Sequence, residues 1–263
     1  MGNSTVFYCK CHFYYKYNKS DKNHFYYKNN ICSFVENFNV MNAKIISVAH
    51  RKGGIGKTSI TLHLATALAT KGKRKVIVLD TDSQQSAFKY REFEQKNIYE
   101  GKEPPYVIER VQPKFLFDEL RHLRDKYDVI FIDVPRLTEG AEDSHLATMI
   151  TYCDGVLIPI VAGDLEGLST SEFVKLIQGI ADYKKQKDFA FTYYGFLNKR
   201  NQRSENQEAI EFMKKLKVPM FENTLSDVKV LSKPYTYESV LESKDGATRF
   251  EPFFNEFLKK FEL

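Results

Sequence analysis

Short apolar runs alternate with longer amphipathic segments along the chain from residue 44 onward. Runs of consecutive apolar residues are typical of strands that are buried on both faces of a sheet. The strands predicted in this way cover residues 44–48, 75–80, 127–133, 155–160 and 190–197. Strands that alternate with helices favour an α/β fold, with a doubly wound, mostly parallel sheet between two helical layers.

The first forty residues differ from everything that follows them. The stretch 7–39 is rich in Tyr, Phe, Asn and Lys, contains no glycine or proline, and has neither helical nor alternating periodicity. Met41 stands immediately before the first predicted strand. We therefore expect one domain over residues 41–263, with translation starting at Met41 and residues 1–40 forming a leader outside the fold, from an upstream start choice.

The end of the chain carries an apolar stripe. Between residues 249 and 263, aromatic and aliphatic side chains recur at helical spacing: Phe250, Phe253, Phe254, Phe257, Leu258 and Phe261. Pro252 is expected in the first turn of this helix, where proline is tolerated. The pattern predicts a helix packed on the core; the alternative is an amphipathic helix that lies on a membrane.

Composition narrows the class of protein. The 263 residues are 43% hydrophobic, which is enough for a substantial core, and the net charge of +5 is mild. Four cysteines at irregular spacing do not form a disulfide framework, which favours the cytoplasm. The longest apolar run, 155–163, is interrupted by Pro159 and is too short to span a bilayer.

The candidate chemistry follows the first predicted strand directly. Gly53, Gly54 and Gly56 have no Cβ, so the backbone can bring its N–H groups close to an anion. The following helix adds unpaired N–H groups and the positive end of its dipole. Lys57 supplies a charge for the β- and γ-phosphates, and the Thr58 hydroxyl is placed to ligand Mg²⁺. This stretch therefore predicts a nucleoside triphosphate site.

The loop departs from the usual G-x-x-x-x-G-K-[ST] pattern, because Arg51 occupies the first glycine position and a second lysine, Lys52, follows it. The sequence KGGIGKT at 52–58 resembles the deviant phosphate loop of the ParA/MinD family of ATPases, above all that of its ParA-type partitioning members. The resemblance implies a P-loop NTPase fold, ATP and Mg²⁺ as cofactors, and a homodimer that forms on ATP binding. It implies nucleotide contacts by Lys52, Gly53, Gly54, Ile55, Gly56, Lys57, Thr58 and Ser59, with Lys52 reaching the partner's phosphates.

Three carboxylates stand at or just after strand ends. Asp80 and Asp82 lie in D-T-D-S-Q, which resembles the family's switch I motif D-x-D-P-Q with Ser83 in place of proline. The resemblance implies that Asp82 orients or deprotonates the attacking water and that Asp80 lies near Mg²⁺. Asp133 ends the run V-I-F-I-D and resembles the Walker B carboxylate, a metal ligand together with Thr58. An aspartate at any of these places can instead cap a helix or a turn.

Signals in the second half of the chain are weaker. Asn198 resembles the family's asparagine that reads the adenine edge, for which an amide has the required donor and acceptor; the alternative is a turn former. Arg136 replaces the second proline of the family's switch II motif, and beyond residue 200 the resemblance fades.

Basic residues collect in the same half. They are Lys184, Lys185, Lys187, Lys199, Arg200, Arg203, Lys214, Lys215 and Lys217. In ParA-like proteins such residues bind DNA without sequence preference through phosphate contacts, whereas the alternative is a set of solvated helix faces.

These inferences together favour a cytoplasmic, nucleoid-associated ATPase. It would partition a plasmid or chromosome region with a ParB-like, centromere-binding partner that stimulates hydrolysis. Three alternatives remain: a MinD-like positioning ATPase on a membrane, a ParA-like accessory ATPase of conjugative transfer, and a nucleotide-binding scaffold that does not hydrolyse ATP.

Overall fold

A parallel sheet forms the centre of the molecule. The computed structural model describes residues 43–135, 142–162, 168–200 and 204–263, and the backbone of three short strands at 6–8, 13–16 and 25–27. Within the first four ranges, six parallel strands pair in the order β3-β2-β4-β1-β5-β6. They are β1 Lys44–Val48, β2 Val76–Asp80, β3 Val107–Arg110, β4 Val129–Asp133, β5 Gly155–Ile160 and β6 Thr192–Leu197.

Helices connect the strands and cover both faces of the sheet. They are α1 Lys57–Thr70, α2 Ser86–Asn97, α3 Leu116–Leu123, α4 Glu142–Tyr152, α5 Leu168–Gln186, α6 Glu205–Lys215, the short α7 Lys229–Ser232 and α8 Lys244–Phe261. Two single 3₁₀ turns lie at Pro113–Phe115 and Val240–Glu242. The predicted doubly wound α/β fold is therefore confirmed.

The core has two layers, one on each face of the sheet. Consecutive residues of a strand point to opposite faces, so Ile45 of β1 joins the layer with α3 to α6, whereas Ile46 joins the layer with α1 and α8. Both are fully buried. This two-sided burial explains why the central strands appear in the sequence as unbroken apolar runs.

Strand β3 is absent from the sequence prediction. It is an edge strand, and of its four residues only Ile108 is buried. An edge strand of this kind has no apolar run that would distinguish it from a loop. The three short strands between residues 6 and 27 were also not predicted; they pair antiparallel with one another in a separate sheet. The proposed domain boundary at Met41 lies outside the described residues and stays a prediction.

The aromatic stripe near the chain end is part of the core, as predicted. Phe250, Phe253, Phe257 and Phe261 of α8 are at most 1% exposed and pack against the face of the sheet that also holds α1. Membrane binding through this stripe would require the same side chains to be exposed. Among the described helices, none combines the length and apolar character that crossing a bilayer requires.

The expected position of Pro252 is wrong. Helix α8 begins at Lys244, where the Ser243 side chain accepts a hydrogen bond from the Gly246 N–H, so Pro252 lies in the helix interior rather than in its first turn. The stretch before the stripe is polar, which is why the sequence did not place the helix start correctly. Proline removes one backbone hydrogen bond there, and the buried phenylalanines on both sides of it hold the helix in place.

The segment between α7 and α8 lies over α1 and α2 through buried polar contacts. The Thr66 hydroxyl donates to the Tyr235 carbonyl at 2.6 Å, and Arg91 donates to the Thr236 hydroxyl at 2.8 Å. His63 of α1 is 1% exposed, with its Nε2 3.2 Å from the Leu231 carbonyl oxygen. Burial lowers the pKa of His63 from 6.5 to about 4, so the folded protein holds this imidazole neutral.

Truncation of the stripe should destabilise the fold. Phe257 is fully buried and lies 4.9 Å from the Phe261 ring, so Phe257→Ala should cost about 3–5 kcal/mol of the free energy of unfolding. Phe93→Ala, at a side chain that is 58% exposed, is the matched control and should cost little. Urea denaturation of both variants measures the difference; equal losses would contradict a core role for the stripe.

Stability should fall as the pH drops from 6.5 towards 4. Over this range the unfolded chain protonates His63 but the folded chain does not, so the unfolded state binds more protons and gains up to about 3 kcal/mol. His63→Gln should remove this part of the pH dependence, whereas His122→Gln, at an exposed histidine, should leave it unchanged. Denaturant midpoints measured at pH 4.5 and pH 7.5 test the prediction. If the midpoint changes by the same amount between these pH values in both variants, the prediction is refuted.

Candidate functional site

The site lies where three neighbouring strands end. In the sheet register Val48 of β1 pairs with Asp133 of β4, and Asp133 pairs with Asp80 of β2. The carboxyl ends of these strands therefore meet at one edge of the sheet, the place where open α/β sheets bind ligands. The phosphate loop, residues 49–56, starts from the same edge.

Two glycines give the loop its shape. Gly54 has φ +75° and Gly56 has φ +97°, a region that other residues seldom adopt. Gly56 is also the residue that precedes α1, so the helix points its N-terminus into the loop. Ser59 lies half-buried in the first turn of α1.

The two lysines of the loop differ in environment. Lys57 is 6% exposed, and its ammonium donates to the Lys52 carbonyl oxygen at 2.9 Å, across the loop. Lys52 is exposed at the front, and its backbone N–H donates to Nδ1 of the buried His50 at 3.0 Å. The other His50 nitrogen lies 3.3 Å from the Thr170 hydroxyl of α5. The sequence reasoning missed His50, because a lone histidine in a loop carries no pattern.

Thr58 and Asp133 form the candidate metal centre. The Thr58 hydroxyl lies 2.9 Å and 3.2 Å from the two carboxylate oxygens of Asp133, which is fully buried. Burial raises the pKa of Asp133 to about 7; the neighbouring Asp80 carboxylate adds to the increase, and Thr58 and Lys57 oppose it. A buried carboxylate beside a hydroxyl and a second carboxylate fits a Mg²⁺ ion, which prefers oxygen ligands.

Asp80 and Asp82 have different contacts. Asp80 is 1% exposed, and its two oxygens accept from the backbone N–H groups of Asp82 at 3.1 Å and Phe88 at 3.0 Å, so it caps the start of α2. Burial raises the pKa of Asp80, and these two hydrogen bonds oppose the increase. Asp82 is half-buried and accepts from the Gln84 N–H at 2.8 Å. Asp82 is therefore the more accessible of the two carboxylates.

The end of β6 contacts the phosphate loop from the other side. Asn198 is 5% exposed, and its amide donates to the Ile55 carbonyl oxygen at 2.8 Å. Lys199 donates to the Gly54 carbonyl oxygen at 2.9 Å. Asn198 therefore lies beside the phosphate loop, and its predicted contact with adenine stays a prediction.

Two of the predicted basic residues do not present a free surface cation. Lys184 is 3% exposed and donates to the Cys153 carbonyl oxygen, so its assignment to a DNA-binding surface is wrong. Its ammonium also lies 5.1 Å from the centroid of the Phe191 ring, a tertiary contact that a count of charges along the sequence does not reveal. Lys199 is engaged with the loop. Arg136 and Arg203 lie outside the described residues.

Fold and site together define a P-loop nucleotide-binding protein of the α/β class. The sequence profile of the CobQ/CobB/MinD/ParA nucleotide binding domain matches residues 46–240, most of the chain. The chain belongs to this family, and its resemblance to ParA/MinD proteins is confirmed.

Individual relatives agree with this assignment. The chromosome partitioning protein ParA of Myxococcus xanthus is 29% identical over 57% of this chain and 65% of its own length. A complex of ATP with an aspartate-to-alanine variant of Cyanothece McdA superposes with a TM-score of 0.64 at 16% identity, over 85% of this chain and 98% of that one. A Borrelia burgdorferi protein assigned to plasmid partition, bound to AMPPNP, gives 0.61 at 22% identity, over 83% and 99%.

These similarities support different conclusions. The two solved structures support the fold alone, because their sequence identity to this chain is below 25%. The chain spans about half to two thirds of the length of curated relatives such as ParA, so their activities and partners do not transfer directly.

Substitution of Gly56 should weaken nucleotide binding strongly. A Cβ at this position would lie 2.4 Å from the Asn198 amide nitrogen, and φ +97° strains any other residue. We expect Gly56→Ala to weaken ATP binding more than tenfold in calorimetric titration. Gly101→Ala is the matched control, since Gly101 also has positive φ, +74°, but has nothing within 4 Å of an added Cβ. Equal affinity in the two variants would contradict the close contact.

Proposed function

We propose that the protein is an ATPase that dimerises on ATP binding, binds DNA without sequence preference and partitions a plasmid or chromosome region with a ParB-like partner. The observation that carries the proposal is the arrangement of the phosphate loop. The Lys57 ammonium contacts the loop backbone, and the Thr58 hydroxyl contacts the buried Asp133 carboxylate at the base of the loop. Lys52, by contrast, is exposed at the front of the loop.

The inner residues bind the phosphates. Lys57, whose ammonium donates to the Lys52 carbonyl across the loop, would contact a β- or γ-phosphate, and the loop amides and the start of α1 would add fixed partial positive charges. Thr58 and Asp133 would hold Mg²⁺, which neutralises developing negative charge on the phosphates. Asn198 would contact the adenine edge through its side-chain amide.

Asp82 is the residue proposed to position water. Its carboxylate is partly exposed and is fixed by the Gln84 N–H, whereas both oxygens of Asp80 are engaged with backbone donors. A partly exposed carboxylate at the edge of the phosphate site can accept a proton from a water molecule and direct it at the γ-phosphate. Asp80 supports this arrangement by holding the backbone of the loop that contains Asp82.

Lys52 is the residue proposed to act across a dimer. It is exposed, and a cation at the front of the loop can contact the phosphates of a nucleotide held by a second copy. ATP then binds the dimer more tightly than the monomer, and hydrolysis removes that difference. Nucleotide state would thereby control assembly.

Exposed basic residues supply the proposed DNA contacts. Lys185 lies in the last turn of α5 and Lys187 directly after it, whereas Lys214 and Lys215 end α6 and Lys217 follows two residues later. The Gln178 amide of α5 donates to the Leu216 carbonyl oxygen at 2.8 Å, so these two helices are neighbours. A two-fold dimer doubles the number of such phosphate contacts, and affinity for DNA rises steeply with that number.

Two of the relatives support partitioning as the output. One is named a chromosome partitioning protein and another is assigned to plasmid partition. A membrane output lacks support, because the aromatic stripe of α8 is buried. An accessory ATPase of conjugative transfer would share the same site and differ only in its partner.

DNA co-sedimentation of the full chain with ATP, with ADP and without nucleotide tests the proposal. We expect binding only with ATP, and a marked decrease at raised salt because counterions compete for the phosphates. Lys52→Ala should abolish this binding. Lys126→Ala, which removes one exposed lysine outside the site, should retain it. Binding that does not depend on nucleotide would refute the dimer switch.

A phosphate-release assay beside the co-sedimentation separates hydrolysis from binding. Asp82→Ala should keep ATP-dependent DNA binding but release less than a tenth of the wild-type phosphate, because the water loses its acceptor. Absence of turnover in both proteins would identify a nucleotide-binding scaffold instead, and equal measurable turnover would refute the role of Asp82.

A further inference from the structure

Two consecutive residues at the end of β6 hold two consecutive carbonyl groups of the phosphate loop. Lys199 donates to the Gly54 carbonyl oxygen at 2.9 Å, and Asn198 donates to the Ile55 carbonyl oxygen at 2.8 Å. We call this pair the β6 latch. The family motifs that predicted Asn198 do not include Lys199, which the sequence analysis placed only in a basic surface cluster.

The latch fixes the orientation of two peptide groups. In a trans peptide the C=O of one residue and the N–H of the next point in opposite directions, and the described chain has no cis peptide bond. With the Gly54 and Ile55 carbonyls held by the latch, the N–H groups of Ile55 and Gly56 point away from it. A loop binds an anion when successive N–H groups converge while the carbonyls point outward.

The backbone of the latch is held firmly by neighbouring residues, whereas the loop at Gly54 has few contacts. The Asn198 N–H donates to the Ile160 carbonyl and the Arg200 N–H to the Leu225 carbonyl, both at 2.7 Å, so Lys199 lies between two anchored residues. Lys199 itself has φ +51°, an unfavourable value for a non-glycine residue. Gly54, by contrast, is exposed and has nothing within 4 Å of an added Cβ. Side-chain packing therefore does little to restrain the loop at Gly54.

We propose that Lys199 is a positioning residue for nucleotide binding: by holding the Gly54 carbonyl, it keeps the Ile55 and Gly56 amides in the orientation that binds the β-phosphate of a nucleoside di- or triphosphate. The inference rests on the proposed nucleotide binding and adds a residue to it. Lys199 acts through the loop backbone and is not a catalytic residue.

This role predicts a specific pattern of affinities. Because the amides at issue serve a phosphate that ADP and ATP share, loss of the latch lysine should weaken both nucleotides by about the same factor, of order tenfold. Loss of Lys52, which is proposed to act on the partner's nucleotide, should affect ATP and leave ADP binding unchanged. The two lysines are thereby distinguished.

The experiment uses the full chain and four proteins: wild type, Lys199→Met, Lys199→Arg and Lys126→Met. Methionine keeps an unbranched side chain as long as the lysine stem but without the ammonium, and arginine restores a donor. Lys126→Met removes an exposed charge outside the site. Fluorescent ADP and ATP analogues measure affinity. Hydrogen exchange of the backbone amides of residues 51–57, without nucleotide, measures the loop directly.

In Lys199→Met we expect the loop amides to exchange faster, and we expect this variant to bind both analogues about tenfold more weakly. Lys199→Arg should recover most of both effects, and Lys126→Met should match wild type. If the loop amides of Lys199→Met exchange at the rate seen in Lys126→Met, the latch does not exist. If they exchange faster but nucleotide affinity is unchanged, the latch has no role in nucleotide binding. If wild type binds neither analogue, the proposed function fails, while exchange still decides whether the latch exists.

Discussion

Two carboxylates buried side by side impose the main constraint on this structure. The register of β2 and β4 pairs Asp80 with Asp133, and neither is more than 1% exposed. Burying like charges next to each other is costly unless each finds hydrogen bonds or cations. Asp80 is satisfied by backbone N–H groups at the start of α2, and Asp133 by the Thr58 hydroxyl and the nearby Lys57 ammonium. The start of α1, the phosphate loop and the loop before α2 are thus all built around this pair.

The same constraint would favour a metal ion beside the two carboxylates. Burial raises the pKa of Asp133 to about 7, with the Asp80 carboxylate adding to the increase, and a divalent cation beside this carboxyl would favour its charged form. A site whose buried charges cost stability in the free protein would recover part of that cost on binding, a common arrangement at functional sites. Binding of Mg²⁺ with a nucleotide should therefore stabilise the whole sheet edge as well as the ligand.

The sequence predicted those features that depend on residues close together in the chain. The central strands and the phosphate loop are local patterns, so β1, β2, β4, β5 and the start of α1 could be located to within a few residues. Strand β3 has one buried residue, and Pro252 follows a polar helical turn, so neither gave a usable pattern. Contacts such as Asn198 with Ile55 join residues 143 positions apart, and only the register of the sheet brings them together. The burial of Lys184 is likewise a tertiary effect.

The departure of this loop from the usual pattern has a physical explanation. Within residues 43–135, positive φ occurs in the loop only at Gly54 and Gly56, so the backbone at Arg51 does not require glycine. Arg51 instead pairs with Glu172 of α5 at 2.6 Å, and His50 approaches Thr170 of the same helix. The loop is therefore braced at its start by α5 and near its end by β6. A missing first glycine is compatible with a phosphate loop because side-chain contacts hold the entrance, while glycine is kept at the two positions where the backbone needs it.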